Sequence, residues 1–285
     1  MTVRGRFAPS PTGALHFGNL RTALIAHLWA RAEGGEFLIR MEDLDRVTSS
    51  RELGAQQIED LELIGVVSDG PVIWQSDRFD AYNSVIDELT ARGLTYECFC
   101  SRKEIREAAT APHGGIHERV YPGTCRNLSD AERAERAKTR PYALRLRSDR
   151  AEVHLVDVLQ GEYAGSVDDV VLRRNDGVPA YNIAVVVDDA MQGVTQVCRG
   201  ADLLSSTPSH VYLQQLLGYA TPEYMHVPLV VGTDGERLSK RNGAKSLSEY
   251  LDAGETVESF NELLRTSIGG EFSMYGLLRV GTWTI

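Results

Sequence analysis

Short apolar segments alternate with longer amphipathic ones through the N-terminal third of the chain. The pattern predicts strands over 4–9, 36–41 and 95–99, and helices over 19–32, 55–64 and 80–91. In the first of these helices, Leu20, Leu24 and Leu28 recur on one face, as a helical period requires. Strands that alternate with helices are typical of a parallel sheet with crossover helices, so we expect an α/β fold.

The pattern changes after Cys100. Five proline and glycine residues between 110 and 124 predict a long loop or a small inserted module. Alternating apolar residues over 143–174 predict antiparallel strands that belong to the same insertion. The α/β pattern resumes at Pro179, with a helix predicted over 209–217, and residues 269–285 match no pattern.

The amino-acid composition is that of a globular protein. Of its 285 residues, 42% are hydrophobic and 25% are charged, which excludes a disordered, collagen-like or coiled-coil chain. No stretch approaches the roughly 18 consecutive apolar residues of a membrane span, and the first residues lack the apolar segment of a secretory signal. We therefore expect a soluble, cytoplasmic protein with no membrane partner.

Charge is distributed unevenly along the chain. The net charge of −10 argues against a nonspecific nucleic-acid-binding protein, yet residues 101–150 hold 12 basic and 7 acidic side chains, a local balance of +5. Such a segment suits contact with phosphates, whereas the interleaved Glu132 and Glu135 are typical of a solvated helix face. Composition alone favours the solvated face, and the segment stays a candidate for contacting nucleic acid.

The first motif joins a strand to a helix through a turn rich in proline and glycine. Residues 6–13 read RFAPSPTG, and residues 15–19 read LHFGN. Asn19 is of a type that caps helix N-termini, so we expect the helix to begin there. His16 then precedes a helix N-terminus, where backbone N–H groups favour a phosphate, and Gly18 lets a nucleotide approach the backbone. An isolated histidine at such a position is more often structural.

The second motif is a basic loop that reads ERLSKRN over 236–242 and follows GTDG. Its cations Arg237, Lys240 and Arg241 surround Ser239 on a glycine-flanked segment, which suits a mobile clamp that neutralises a polyphosphate. Taken alone, a basic surface loop is the simpler interpretation. The chain contains neither the glycine-rich phosphate loop nor the dinucleotide fingerprint, so a nucleotide would bind by another scheme.

Together the two motifs resemble those of the class I aminoacyl-tRNA synthetases. Residues 16–19 are similar to the HIGH motif of that family, and residues 237–241 are similar to its KMSKS motif. Arg237 departs from the lysine that begins the KMSKS motif, which keeps the charge but alters its reach. Likeness to the glutamyl-tRNA synthetase group spans roughly 4–251 and is carried by further segments, 6–13, 21–23, 40–45 and 181–182.

The resemblance implies a Rossmann-like catalytic domain formed by 1–97 and 177–250. An inserted module over 98–176 is implied to bind zinc and contact tRNA, as an acceptor-binding subdomain does, and 251–285 would form a short C-terminal helical segment and tail. Little sequence follows the KMSKS-like loop, so we expect no anticodon-binding domain.

This short length resembles a branch of truncated paralogues within the group. Their activity, as the resemblance implies it, is to activate L-glutamate with ATP and to transfer it to queuosine in the anticodon loop of tRNA(Asp). The implied partners are that tRNA, L-glutamate, and ATP with magnesium. We expect the enzyme to be a monomer.

Glutamate carries two carboxylates and one ammonium group, so its pocket needs cations, an anion and neutral donors. Arg6 and Arg199 offer guanidinium groups, Glu42 can hold the ammonium and Tyr181 can donate to a carboxylate. By resemblance, the side-chain carboxylate is faced by Arg6, Tyr181 and Arg199, and the amino-acid end is lined by Ala8 and Ser10. Single positions have structural alternatives, such as an ion pair between Arg6 and Asp43 or a core position for Tyr181.

ATP is implied to contact residues of both motifs, namely His16, Gly18, Asn19, Leu238, Ser239 and Lys240. His16 and Lys240 are implied as the catalytic donors that stabilise charge on the phosphate oxygens. The nucleophile in that step is the α-carboxylate of glutamate, which attacks the α-phosphate.

Three of the four cysteines form a metal-site pattern. Cys98 and Cys100 are two residues apart at a strand end, so both thiols project to one side, and Cys125 follows later in the chain. Zinc usually takes four ligands from cysteine and histidine, and spacing nominates His113 or His117 as the fourth.

The resemblance nominates Tyr121 as the fourth ligand instead. We expect one zinc ion per chain, with a structural and not a catalytic role, because the glycine-rich loop has too few apolar residues to fold alone. The alternative is three unrelated thiols. Cys198 is expected to be a small buried residue of a core strand.

Other functions fit parts of the sequence. One is the catalytic portion of a glutamyl-tRNA synthetase that charges tRNA(Glu), and another is a non-catalytic paralogue that binds tRNA. His16, Glu42, Arg199 and Lys240 favour an enzyme over the non-catalytic paralogue. A small-molecule nucleotidyltransferase should lack the glutamate-binding set.

Overall fold

The computed structural model describes residues 2–101, 103–105, 121–231 and 245–268. Its strands are β1 (Arg4–Phe7), β2 (Glu36–Met41), β3 (Ile73–Trp74), β4 (Thr95–Cys98), β5 (Ala143–Leu146), β6 (Glu152–Asp157), β7 (Gly161–Ser166), β8 (Val171–Arg173), β9 (Gln196–Gly200) and β10 (Glu223–Val227). Its helices are α1 (Phe17–Ala32), α2 (Arg51–Leu63), α3 (Phe79–Ala91), α4 (Asp130–Ala137), α5 (Tyr181–Met191), α6 (Thr207–Leu217), α7 (Leu247–Asp252) and α8 (Val257–Ile268). Short 3₁₀ helices lie at Gln75–Arg78 and Ala201–Ser206.

The main sheet has the strand order β3-β2-β1-β9-β10-β6-β7. Neighbouring strands from β3 to β6 are parallel, and β7 is antiparallel to β6. A second, antiparallel sheet has the order β4-β5-β8. The predicted α/β fold with a Rossmann-like parallel sheet is therefore confirmed. Within the described part of the chain, no helix is both long and apolar enough to cross a lipid bilayer.

Side chains that alternate along β2 contact different layers of the fold. Phe37, Ile39 and Met41 are buried in the core that α1 covers. Arg40, on the opposite face, reaches Asp189 of α5 with a distance of 2.8 Å between Nη1 and Oδ1. The sheet is thus covered by α1 on one face and by α5 on the other.

Helix α1 lies very close to the central strands. A β-carbon at Gly5 of β1 would lie 2.9 Å from Cβ of Ala30, so only glycine permits this approach. The start of the helix is held by Phe17, which packs edge-on against Phe260 of α8 with ring centroids 5.8 Å apart. Because β1 leads into α1, the N-terminus of this helix lies at the carboxyl end of the sheet.

The predicted start of α1 was wrong by two residues. The helix begins at Phe17, with His16 as its N-cap. Asn19 lies in the first turn, where its side-chain oxygen accepts the backbone N–H of His16 at 3.2 Å. Asn19 was predicted to be the N-cap from its residue type alone, whereas it is the third helical residue and completes a capping box with His16.

The β6–β7 hairpin extends the main sheet, whereas its alternating pattern was assigned to the inserted module. β6 pairs in parallel with β10, where Asp157 aligns with Tyr224. Conversely, β4 pairs with β5 in the antiparallel sheet and not with the parallel strands. Alternation identifies antiparallel strands but not the sheet that they join, since that depends on distant pairing. The domain boundaries over 1–97, 98–176, 177–250 and 251–285 stay a prediction.

A buried carboxylate anchors α5 within the second core layer. Asp188 is fully buried and accepts hydrogen bonds from Gln75 Nε2 at 3.0 Å, Arg78 Nε at 2.7 Å and the Tyr82 hydroxyl at 2.7 Å. Arg40 Nε lies 3.6 Å from the same carboxylate. Loss of this carboxylate would leave a buried guanidinium and a buried hydroxyl with fewer partners.

We expect Asp188→Ala to destabilise the fold by about 3–5 kcal/mol, because the guanidinium groups of Arg78 and Arg40 lose a buried negative partner. The matched control is Asp87→Ala, which removes an aspartate that is 68% exposed and pairs with Arg173. This control should shift stability by about 0.5 kcal/mol or less. Urea unfolding followed by circular dichroism measures both changes, and equal shifts of the two midpoints would contradict the assignment.

Candidate active site

A cavity of about 790 Å³ lies at the carboxyl ends of the central strands. It opens beside β1, whose neighbours are β2 on one side and β9 on the other, so the strand order reverses there. Ligands of open α/β sheets bind at such a reversal, because the loops that follow the strands diverge and leave a crevice. The topology therefore makes this cavity the candidate active site.

Every described residue that the sequence predicted for glutamate or ATP lines this cavity. The set comprises Arg6, Ala8, Ser10, His16, Gly18, Asn19, Glu42, Tyr181 and Arg199. Leu238, Ser239 and Lys240 lie outside the described residues. The structure thus brings the predicted set together, and the ligand that each residue contacts stays a prediction.

The turn between β1 and α1 is held by a side chain that sequence reasoning missed. Gln57 of α2 is buried and donates from Nε2 to the carbonyl oxygens of Ser10 at 3.1 Å and Gly13 at 2.7 Å. Both contacts join the helix to backbone that lines the cavity. No periodic signal marks Gln57, since its partners are main-chain atoms far along the chain.

The flanks of the second motif lie beside the first motif. The chain reaches Val230, which lines the cavity, and is described again from Lys245. The Lys245 carbonyl accepts the backbone N–H of Phe17 at 3.2 Å, and Ser246 forms a β-bridge with His16. The described residues that flank the second motif therefore lie at the N-terminus of α1, and the motif itself lies outside the described residues.

Arg6 and Arg40 are held by one aspartate of α5. Arg6 Nε and Nη2 lie 3.2 and 3.3 Å from the Asp189 carboxylate, and Arg40 Nη1 lies 2.8 Å from it. Burial raises the pKa of Asp189, but attraction to Arg6 and Arg40 outweighs burial and lowers it to about 2. Much of the charge on Arg6 is thereby neutralised inside the protein.

The alternative pairing of Arg6 with Asp43 is wrong. Asp43 instead accepts the backbone N–H of Ser76 at 2.8 Å and its hydroxyl at 2.5 Å. Strand alternation explains the difference, because Arg6 projects toward α5 whereas Asp43 lies past the end of β2. The acidic pair that follows the apolar 183–187 segment was the sequence signal for the true partner.

Glu42 is a nearly buried carboxyl group at the end of β2. Its side chain is 10% exposed, and Oε1 lies 3.5 Å from Arg40 Nη2. Burial raises the pKa of Glu42 to about 7, although the nearby Arg40 and Arg6 act to lower it. A desolvated carboxylate that faces a cavity is suited to bind an ammonium group.

Arg199 of β9 is a buried guanidinium whose hydrogen-bond partners in the described part of the chain are all neutral. Nε lies 3.0 Å from His226 Nε2, and Nη2 lies 2.8 Å from Thr207 Oγ1. Nη1 lies 3.2 Å from the Tyr181 hydroxyl and 3.3 Å from His210 Nδ1. The side chain is oriented, and no carboxylate of the described residues forms a direct ion pair with it. It is therefore complementary to an anion in the cavity.

Three cysteines that are far apart in sequence form one cluster. The sulfur atoms of Cys98, Cys100 and Cys125 lie within 4.8 Å of one another, and the last two are 3.5 Å apart. Tetrahedral zinc–thiolate bonds place sulfur atoms roughly 3.8 Å apart, so the cluster can hold a metal ion. The three thiols are therefore neighbours in space, and metal binding by them stays a prediction.

A tyrosine hydroxyl completes the immediate surroundings of this cluster. The Tyr121 oxygen lies 3.3 Å from Cys98 Sγ and 3.7 Å from Cys100 Sγ, as expected for a fourth donor. His113 and His117 lie outside the described residues. Cys198 is buried in β9, as predicted, and lines the cavity.

Several basic side chains of 101–150 are paired with other residues of the same segment or of its neighbouring strands. Arg126 forms an ion pair with buried Asp169 at 2.5 Å, and Arg140 pairs with Glu104 at 2.7 Å. The Arg145 guanidinium lies 3.8 Å from the ring centroid of Tyr121. The local charge excess therefore has structural uses, and nucleic-acid contact by this segment stays a prediction.

The sequence matches the family described as tRNA synthetases class I (E and Q), catalytic domain, over residues 2–268. It is 58% identical over 266 residues to the glutamyl-Q tRNA(Asp) synthetase of Nocardia farcinica, covering 93% of this chain and 84% of that protein. The enzyme of the same name from Cutibacterium acnes is 51% identical over 252 residues, which cover 88% and 71%.

Solved structures show the same architecture. A glutamate tRNA ligase from Elizabethkingia meningosepticum, in complex with its amino acid, superposes with a TM-score of 0.80 at 29% identity. A glutamate-tRNA synthetase from Elizabethkingia anophelis superposes with a TM-score of 0.83 at 28% identity. This chain is covered to 99% and 100%, and it spans 65% and 68% of those two chains.

The buried carboxyl group of Glu42 makes a prediction about stability. Its pKa rises from 4.5 to about 7 on folding, so stability falls as pH rises from about 4.5 through 7. Above pH 7 the folded protein carries the cost of the ionised group, of order 3 kcal/mol. Glu42→Gln should therefore raise the melting temperature of the ligand-free protein by several degrees at pH 8, and by much less at pH 5.

Differential scanning fluorimetry at the two pH values measures this change. Glu88→Gln is the control, because Glu88 is 58% exposed on α3 and its substitution should change the melting temperature equally at both pH values. A rise in melting temperature for Glu42→Gln that is equal at pH 5 and pH 8 would contradict the burial of an ionisable group.

Proposed function

The chain belongs to the class I tRNA synthetase family for glutamate and glutamine, and on that premise we propose that it activates L-glutamate with ATP and transfers it to queuosine in the anticodon loop of tRNA(Asp). The observation that carries the glutamate assignment is the pair formed by Arg199 and Glu42. Arg199 is a buried cation that has only neutral hydrogen-bond partners among the described residues, and Glu42 is a desolvated carboxyl group in the same cavity. The names of the relatives support the acceptor.

Glutamate fits this cavity with its charges opposite those of the protein. Glu42 receives the ammonium group, and Arg199 with Tyr181 binds the side-chain carboxylate. Arg6 supports the same carboxylate, although Asp189 already neutralises part of its charge. Ala8 and Ser10 line the amino-acid end. The neutral hydroxyls and the fixed guanidinium groups provide the geometry that a flexible dicarboxylate needs.

Activation joins the glutamate α-carboxylate to the α-phosphate of ATP. A carboxylate oxygen forms the new bond to phosphorus, and the bond to the bridging oxygen breaks to release pyrophosphate. ATP, with magnesium, would bind at the N-terminus of α1 against His16, Gly18 and Asn19, and Leu238, Ser239 and Lys240 of the basic loop are proposed to contact it as well. His16 and Lys240 stabilise the phosphate oxygens, so catalysis comes from positioning and electrostatics.

Transfer completes the reaction. A queuosine hydroxyl attacks the acyl carbon of the glutamyl-adenylate, and AMP leaves. We propose that a monomer suffices, because segments of one chain from 6 to 230 line the cavity. ATP and tRNA place the reaction in the cytoplasm.

The cysteine cluster is proposed to bind one structural zinc through Cys98, Cys100, Tyr121 and Cys125. The mutual distances of the three sulfurs and the Tyr121 hydroxyl support this set. The ion would join the end of β4 to Tyr121 and Cys125, which follow the glycine-rich segment and already pack in one small buried cluster with Tyr96 and Phe99. The domain that it stabilises is the inserted module over 98–176.

We expect labelled glutamate to be transferred to purified tRNA(Asp) that contains queuosine, in the presence of ATP and magnesium. Parallel reactions use tRNA(Asp) without queuosine and tRNA(Glu), and acid precipitation of the tRNA measures the label. Labelling of tRNA(Glu) would identify a tRNA-charging synthetase instead. No labelling and no glutamate-dependent ATP–pyrophosphate exchange would identify a non-catalytic tRNA-binding protein.

We expect inductively coupled plasma mass spectrometry to find about one zinc ion per purified chain. Cys125→Ser should lose most of the zinc and lower the melting temperature by several degrees. Cys198→Ser is the matched control and should keep the zinc, because Cys198 lies in β9 away from the cluster. Full zinc content in the Cys125 variant would rule out this ligand set.

A further inference from the structure

A buried chain of polar groups lies behind Arg199. Arg199 Nε is 3.0 Å from Nε2 of His226, and His226 Nδ1 is 2.6 Å from Oδ2 of Asp157. His226 and Asp157 are fully buried in β10 and at the end of β6. Neither residue lines the cavity. The cavity residue Arg199 is thus connected to two groups that a ligand cannot touch.

The hydrogen positions in this chain follow from the donors and acceptors. A guanidinium group only donates, so Nε2 of His226 must present a lone pair to Arg199. Nδ1 then carries the proton and donates it to the Asp157 carboxylate. Burial lowers the pKa of His226, which agrees with a neutral ring. Arg199 and Asp157 therefore select one tautomer, and the Thr207 hydroxyl also lies 3.1 Å from Nε2.

Asp157 is itself held in place by main-chain donors. Its carboxylate accepts the backbone N–H groups of Leu159 at 3.0 Å, Gln160 at 2.9 Å and His226 at 3.0 Å. Tyr224 stacks on the His226 ring, with centroids 6.0 Å apart and planes 13° apart. The imidazole is therefore restrained both within its plane and perpendicular to it.

We propose that His226, held by Asp157, is a positioning residue that sets the orientation of Arg199 and with it the preference for glutamate over glutamine. This inference rests on the proposed function. A directed lone pair at Nε fixes the plane of the guanidinium group and leaves the Nη edge toward Tyr181 and the cavity. Because the acceptor is neutral, the charge of Arg199 is oriented without being cancelled.

Arg6 provides the contrast within the same cavity. It is oriented by direct ion pairing with Asp189, which neutralises it. Arg199 instead donates to the neutral imidazole of His226. The Asp157 carboxylate contacts that imidazole and not Arg199 itself. A neutral substrate amide would leave Arg199 buried without a counter-charge, whereas a substrate carboxylate would provide one.

The test compares His226→Leu with His226→Gln by ATP–pyrophosphate exchange on full-length protein. Leucine removes the acceptor, so the KM for glutamate should rise about tenfold or more, and the preference for glutamate over glutamine should fall by a similar factor. The KM for ATP should stay within about twofold. Glutamine can place its Oε1 near the Nε2 position, so His226→Gln should restore the KM for glutamate to within about threefold of the unsubstituted protein.

His154→Leu is the matched control, since His154 is 76% exposed on β6 and should leave both KM values unchanged. An unchanged glutamate KM in His226→Leu would overturn the inference. An equal rise in the KM for glutamate and the KM for ATP in both His226 variants would also overturn it, because that result indicates a general structural role.

A second measurement needs no substitution. Nitrogen-15 NMR of histidine-labelled protein reports which ring nitrogen of His226 carries the proton. A proton on Nδ1 supports the inference, and a proton on Nε2 overturns it, even where His226→Leu does not fold. Absence of glutamate-dependent exchange in the unsubstituted protein would instead refute the proposed function, so the two failures are distinguishable.

Discussion

The adjacent carboxylates of Asp188 and Asp189 hold the floor of the cavity together. Asp189 binds Arg6 and Arg40 from two neighbouring strands, and Asp188 binds Arg78 and the Tyr82 hydroxyl from the next layer. Buried ion pairs of this kind keep their geometry because every loss of a partner leaves a desolvated charge. The positions of β1, β2 and α5 relative to one another therefore depend on this pair, and so does the cavity at their ends.

The charged groups beside and behind the cavity are largely paired with one another before a ligand enters. Three guanidinium groups, those of Arg6, Arg40 and Arg78, contact three carboxylates, those of Glu42, Asp188 and Asp189. Arg199 adds one positive charge that is bonded to neutral groups. Glutamate has a net charge of −1 at neutral pH, whereas glutamine has none. The proposed selectivity is thus a matter of which internal charge remains without a partner.

Two predictions of local structure show where pattern reasoning reached its limit. Asn19 was expected to be the N-cap, but the N-cap is His16 and the helix begins at Phe17, while the Asn19 side chain accepts the His16 N–H from inside the first turn. The segment 143–174 was expected to form antiparallel strands of one module, but the β6–β7 hairpin within it pairs with β10 at the edge of the main sheet. In both cases the residue types were informative, and the partner was decided by geometry that one-dimensional spacing does not contain.

From the sequence alone come the alternating α/β pattern, the two nucleotide motifs, the three cysteines as a candidate metal site and nine of the residues that line the cavity. These follow from local periodicity and residue chemistry, which are readable along the chain. The tertiary structure alone decided that Arg6 pairs with Asp189, that Arg199 has neutral partners, and that His226 and Asp157 stand behind it. Burial and charge neutralisation are properties of groups brought together from distant segments, so they exist only once the sheet and its helices are assembled.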